Sequence, residues 1–209
     1  MLKGSSLSLV TSSTDGYFTL WDLTSVLEPF YTMSSPLRLK QAIEGGSITP
    51  SNITCENRYQ IHWNSIKCLE LADLSETLSL IVAGGDDNAM TVTLLDTSVE
   101  SGDAARTIAV PDAHAACIAA TKILTQSQNP SEGTARFAVA SSGNDHQVKI
   151  WRIDIDARKN GPDRIQISKA AERYSSVADI SSLDIIHDAG GGSKLVVCGA
   201  GMEMWRVQL

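Results

Sequence analysis

Aromatic side chains are scarce at 5%, cations number 17 against 24 acidic groups, and the four cysteines are scattered through 209 residues. Each shortage removes a class of function. A formal charge of −7 argues against a nucleic-acid surface, because such surfaces gain affinity from clustered Lys and Arg that displace counterions. The densest basic group is Arg158-Lys159, with Arg164 some way off, and it reads as a solvated loop. A membrane-surface role fails on the same ground. No stretch approaches the roughly 20 apolar residues of a membrane helix, and Met1-Leu2-Lys3-Gly4-Ser5-Ser6 lacks the apolar run of a signal peptide. Cys55, Cys68, Cys117 and Cys198 form no C-x-x-C pair, so neither zinc nor a redox motif is signalled. A cytoplasmic protein with reduced thiols is expected.

What is present suffices for a folded chain. The sequence is 43% hydrophobic and 20% charged, enough apolar side chain to offset the entropy of ordering a core. Three segments share one frame: Ser12-Ser13-Thr14-Asp15-Gly16 running to Trp21-Asp22, Gly84-Gly85-Asp86-Asp87-Asn88 running to Thr93, and Ser142-Gly143-Asn144-Asp145-His146 running to Trp151-Arg152. In each, an Asp opens a tight turn and apolar residues follow at alternating positions. A shorter fourth copy runs Cys198-Gly199-Ala200-Gly201 to Trp205-Arg206. Period-two alternation on either side of Asp-Gly, Asp-Asn or Ala-Gly predicts a β-hairpin.

A further strand precedes the hairpin, opening with His62-Trp63-Asn64-Ser65-Ile66 and again with His114-Ala115-Ala116-Cys117-Ile118. The copy at Val177-Ala178-Asp179-Ile180 has Ser176 in place of the His. A His, a strand, a second strand, an Asp turn and a third strand ending in Trp resembles the WD repeat. That resemblance implies an all-β fold, a WD-repeat β-propeller of about four blades. It also implies a buried tetrad of His, Ser or Thr, Asp and Trp within each blade. By position, His114, Asp145 and Trp151 would form it in the third blade, with Ser141 or Ser142 as fourth member. His62 and Asp87 would serve the second, where Thr93 replaces the Trp, and Asp15 and Trp21 the first. The fourth keeps only Trp205.

Residues 1–209 are thus expected to be one propeller region, with blades at roughly 1–41, 58–110, 112–169 and 174–209. The markers Trp21, Thr93, Trp151 and Trp205 stand farther apart than the ~40–45 residues of a WD repeat. The excess is expected in loops such as Thr24 to Asn57, with Gly45-Gly46, Pro29, Pro36 and Pro50, and in Asn129–Gly133 and Lys159–Asp163. With four blades and no extra closing strand, a partial propeller or a fragment of a longer chain is expected.

A narrower likeness lies in the order of several motifs. Asn64-Ser65, Gly84-Gly85-Asp86-Asp87, Ala113-His114-Ala115-Ala116 through Thr121-Lys122-Ile123-Leu124, Val177–Ile180 and Gly199–Glu203 are similar, in order, to the WD-repeat adaptor subunits of FtsJ-type tRNA ribose 2′-O-methyltransferases. The likeness spans roughly residues 60–207. It implies a non-catalytic adaptor for a methyltransferase acting on the first anticodon nucleotide. S-adenosylmethionine would belong to the partner, and tRNA would be met indirectly or through the complex. The alternative is a generic WD-repeat scaffold for another protein complex, and a hydrolase or transferase is the remote third.

No catalytic, cofactor-binding or metal-ligating residue is expected. His114 with Asp112 and Ser141 or Ser142 makes a conceivable nucleophile set, but no G-x-S-x-G elbow accompanies it. Gly190-Gly191-Gly192 lacks the spacing of a phosphate loop, and Asp86-Asp87 and Asp154 with Asp156 lack that of a calcium loop. His146 and His187 read as surface groups. Trp63 reads first as core packing and second as a rim-facing anchor for a partner.

Overall fold

A computed structural model describes residues 2–3, 6–24, 54–99, 104–129, 131–159, 161–187 and 192–207. The prolines and glycines of the first long loop, Pro29, Pro36, Gly45, Gly46 and Pro50, lie outside the described residues, as do Pro130, Asn160, Gly190 and Gly191. The chain divides into two units, residues 1–11 with 18–59 and residues 12–17 with 60–209.

The first unit carries a sheet of order β1-β2-β3-β4, from Leu2–Lys3, Ser6–Ser12, Tyr17–Asp22 and Thr54–Gln60. Phe18 is fully buried, and its ring lies 5.0 Å from that of Tyr59. Trp21 donates its indole N–H to Thr11 Oγ1 at 2.8 Å.

The second unit begins with an antiparallel sheet of β5 (Ile66–Asp73), β6 (Leu78–Gly85), β7 (Met90–Asp96) and β8 (Ala105–Val110), ordered as in the chain. A second four-stranded sheet follows the same meander with β9 (Ile118–Asn129), β10 (Thr134–Gly143), β11 (Gln147–Asp156) and β12 (Ile165–Tyr174), a 3-10 turn at Pro162–Arg164 preceding β12. Last comes a two-stranded sheet of β13 (Ala178–His187) and β14 (Ser193–Val207).

Burial explains the strand compositions. Strand β6 is buried along nearly its whole length, and accordingly reads as an unbroken run of small and aliphatic residues. Strand β12 is buried at Ile165 but exposed from Ser168 onward, and there carries Lys169, Glu172 and Arg173, charges that blunt an open sheet edge. Two apolar layers join the sheets. One sets Leu80, Val82 and Val92 against Phe137, Val139, Trp151 and Ile153. The other sets Ala140 and Val148 against Ile180, Leu183, Leu195 and Val197. On the neighbouring strands β5, β9 and β13, Lys122 reaches Glu70 at 3.5 Å and Asp184 at 3.2 Å.

Ser193–Val207 is a single strand, where the sequence predicts two strands separated by an Ala-Gly turn. Gly199 serves close approach instead: a Cβ there would meet the backbone oxygens of Ala178 and Asp179 at 2.5 Å. Only a residue without a side chain lets β14 lie that near to β13.

Candidate functional site

The polar residues singled out by the repeat frame form hydrogen-bonded networks around two buried histidines. In the β9–β12 sheet the loop before β9 presents His114, 1% exposed. Its Nδ1 lies 3.0 Å from Asp145 Oδ1, and its Nε2 2.8 Å from Ser141 Oγ. Trp151 donates its indole N–H to the same Ser141 Oγ at 2.7 Å. One set of donor directions satisfies every group: Asp145 accepts from His114 Nδ1–H, Ser141 O–H donates to Nε2, and the indole donates to Ser141. Asp145 also accepts from the backbone N–H groups of Ala115 and Gln147, pinning the loop before β9 to the β10–β11 turn. Ser142 Oγ is buried without a partner, so the hydroxyl of this network is that of Ser141.

Ionisation follows the same geometry. Burial, against the pull of Asp145, lowers His114 below its usual 6.5, so the ring is neutral, as its acceptor Nε2 requires. Asp145 is held below 3.8: burial opposes ionisation, but the His114 and backbone hydrogen bonds outweigh it.

The β5–β8 sheet repeats half of this arrangement. Asp87 accepts from His62 Nδ1 at 2.8 Å and from the backbone N–H groups of Trp63 and Ala89. Those hydrogen bonds likewise outweigh burial and lower the Asp87 carboxyl. The hydroxyl comes from elsewhere. Ala83 precedes Gly84-Gly85-Asp86-Asp87 just as Ser141 precedes Ser142-Gly143-Asn144-Asp145, and so brings no oxygen. Thr91, its register partner on β7, puts Oγ1 3.0 Å from His62 Nε2 instead. Thr93, expected to stand in for the Trp, bonds Thr107 across the strand pair at 2.8 Å. The sequence reading thus missed Thr91. The signal was present in the absence of a hydroxyl at Ala83.

A second missed signal lies in the glycines ahead of the Asp turns. A Cβ at Gly85 would stand 2.5 Å from His62 Nδ1, and one at Gly143 2.9 Å from His114 Nδ1. The histidine rings occupy the space that a side chain would take.

In the last sheet, Ser175 Oγ donates to Glu203 at 3.0 Å, and Ser176 reaches the same carboxylate through its backbone N–H and its hydroxyl. Glu203, rather than an Asp turn, gathers the chain entering β13. Trp205 carries the Arg173 guanidinium 4.9 Å from its ring centroid. Asp15 accepts from the Tyr17 N–H at 3.2 Å. Trp21 lies in the other unit, on Thr11, ten residues before it, as Ser141 is before Trp151.

Ser141, His114 and Asp145 have the order of hydrolytic triads, but Ser141 is 0% exposed and already accepts the Trp151 N–H. No substrate carbonyl reaches a hydroxyl so placed. Asp112, the partner considered from sequence, is not bonded to the ring; Asp145 takes that role. Among the described residues no group of three or more His, Cys, Asp or Glu is placed to hold a metal ion, and no helix is long and apolar enough to cross a membrane.

Trp63 overturns an expectation. Its sequence context predicts core packing first, yet the side chain is 91% exposed. It follows His62 directly, and its backbone N–H is held by Asp87 at 2.9 Å. The hydrogen bonds that bury the histidine therefore turn the next side chain outward.

Comparison with solved structures bears on the fold. A chain of "Crystal Structure of Mitotic Checkpoint Complex" matches 97% of this chain with a TM-score of 0.51 at 12% identity, over 48% of its own length. The fold is that of a WD-repeat β-propeller. The WD40 domain of SCAP from fission yeast also matches, at 9% identity and a TM-score of 0.44, over 97% of this chain and 39% of that one. The chain spans about half the length, or less, of these structures. No protein-family model and no curated protein matches it.

Proposed function

We propose that the chain is a non-catalytic WD-repeat scaffold whose ligand is another protein. The supporting observation is Trp63, an exposed indole on a backbone fixed by the His62–Asp87 network. Trp is enriched among the residues that dominate protein interfaces, and a pre-ordered anchor loses little entropy on binding. The polar residues that resemble catalytic groups are occupied inside the sheets. The structure matched above belongs to a protein assembled in a multi-protein complex, in keeping with this reading. In this proposal the blades lie at roughly 1–41, 58–110, 112–169 and 174–209, with the last strand of the first sheet, Thr54–Gln60, beyond the first of these ranges.

A narrower reading takes the partner to be an FtsJ-type tRNA ribose methyltransferase in the cytoplasm, with tRNA reached through the complex. It rests on the ordered motifs between residues 60 and 207 and on nothing else. The test is affinity purification of the tagged protein beside its Trp63→Ala variant, with mass spectrometry of both. A partner that is lost from the variant, while thermal stability is retained, supports the scaffold reading. An FtsJ-type methyltransferase as that partner supports the narrower one. Equal recovery on both baits removes Trp63 from the interface.

A further inference from the structure

The Asp turns and Trp63 lie at one end of the β5–β8 sheet. At the opposite end, where β6 begins, β7 ends and β8 begins, is a cavity of about 430 Å³. Leu78, Leu94 and Val99 supply apolar wall, and two arginines, Arg106 and Arg164, reach it from different sheets. Arg106 opens β8. Arg164 ends the 3-10 turn before β12. Arg106 Nη1 donates to Gly161 O at 3.1 Å, so its guanidinium is held across the seam beside the turn that carries Arg164.

Some cations of the second unit are ion-paired, while others, Lys149 and Arg173 among them, meet a backbone carbonyl or an aromatic ring instead. Lys67, Lys122, Arg136, Arg152, Arg158 and Lys169 each have a carboxylate within ion-pair distance. Among the described residues, Arg106 and Arg164 have none. This is a chain in which acids outnumber bases, so the shortage is not one of supply. Arg164 Nε is moreover buried with no hydrogen-bond partner. A buried guanidinium N–H left unbonded is costly, and a ligand oxygen would remove that cost.

We infer that this seam cavity binds an acidic side chain of a partner peptide, flanked in that peptide by an aliphatic residue. The guanidinium fork suits a planar carboxylate. Leu78, Leu94 and Val99 suit the aliphatic neighbour. Asp96 lines the same cavity, and its negative charge favours a singly charged carboxylate over a phosphate dianion. The site takes from the scaffold reading only that the ligand is a peptide. It lies away from Trp63, so the two stand or fall separately.

The test is NMR of the arginine Nε–Hε signals in the 15N-labelled full chain. The probes are a capped pentapeptide with one glutamate between leucines, the same peptide with glutamine, and inorganic phosphate. The inference expects a saturable shift of the Arg164 signal with the glutamate peptide and at least tenfold weaker binding with glutamine. Arg164→Lys, which keeps the charge and loses the fork, should weaken the glutamate peptide about tenfold, read from backbone amide shifts at Leu78 and Val99. Equal binding of the glutamine peptide, no shift with either peptide, or tighter binding of phosphate would each overturn it. The Trp63→Ala variant should bind the glutamate peptide like the wild type, and loss of binding there would also count against the separate site.

Discussion

The β5–β8 and β9–β12 sheets both bury a histidine between a carboxylate and a hydroxyl, yet they take the hydroxyl from different strands. In the latter it is Ser141 on β10, which also receives the Trp151 indole. In the former Ala83 leaves that place empty, and Thr91 on β7 fills it from the facing strand. The difference shows what such a sheet must keep. It is a satisfied imidazole and a carboxylate that ties the loop before the first strand to the turn after the second. Which strand supplies the oxygen is open to exchange, because an unbonded buried Nε2 is what carries the cost.

The largest effect that can break this comparison is expected at the tryptophan. Trp151→Ala removes a nearly buried ring and one donor, and should destabilise by about 3–5 kcal/mol, a fall in Tm of about 10 °C for a chain this long. Thr93→Ala loses the Thr107 hydroxyl contact and one buried methyl group and should cost about 1–2 kcal/mol. Comparable losses from the two substitutions in thermal unfolding would mean that the sheets are not built as described.

The exchanged hydroxyl allows a sharper test. Thr91→Val should cost about 1–3 kcal/mol by orphaning His62 Nε2. Adding Ala83→Ser, which restores the arrangement around His114, should recover at least half of that in denaturant midpoints. No recovery would separate the two sheets after all.

A third effect comes with pH. His114 has its folded pKa lowered below 6.5, so the unfolded chain binds the proton more readily. Stability is complete above about pH 6.5 and falls as the pH drops below it. Asp87 and Asp145 are lowered below 3.8 and extend the loss at more acid pH. Glu70 acts in the opposite sense. Burial raises it above 4.5 despite Lys122, so its contribution is greatest in acid and is lost as pH rises through its folded value. In a Glu70→Gln background, unfolding midpoints should therefore fall from pH 7 to pH 5.5. A flat or rising profile would contradict the neutral, buried His114.

The smallest effect concerns Lys122, which bridges Glu70 and Asp184 while partly exposed. Solvent screening limits such pairs to about 0–1 kcal/mol. Lys122→Met should change stability by no more than that, as measured by chemical denaturation.

Much of this was legible in the sequence, for reasons that differ by residue. The Asp turns at Asp87 and Asp145 and the histidines ahead of β5 and β9 stood out because turn chemistry and period-two alternation are local signals. Thr91 did not, because its role depends on register with Ala83, a pairing across a hairpin that spacing alone does not assign. The Ala-Gly turn in the last copy failed because glycine serves both tight turns and close strand approach, and Gly199 serves the second. Trp63 was misjudged because a large ring at the head of an apolar strand usually goes inward. Its outward course follows from a hydrogen bond between its own backbone and Asp87, which no pattern of side chains displays. The Arg164 cavity joins positions far apart in the chain, and only the folded seam reveals it.

In the scaffold proposal the buried residues around His62 and His114 hold the sheets, and the exposed Trp63 meets the partner. The most direct test of that proposal measures Tm and partner recovery together for Trp63→Ala and Trp151→Ala. Trp63→Ala should lose the partner with Tm within about 2 °C of the wild type, whereas Trp151→Ala should lower Tm by about 10 °C. A Trp63→Ala protein that unfolds as early as Trp151→Ala, or keeps its partner in full, would contradict it.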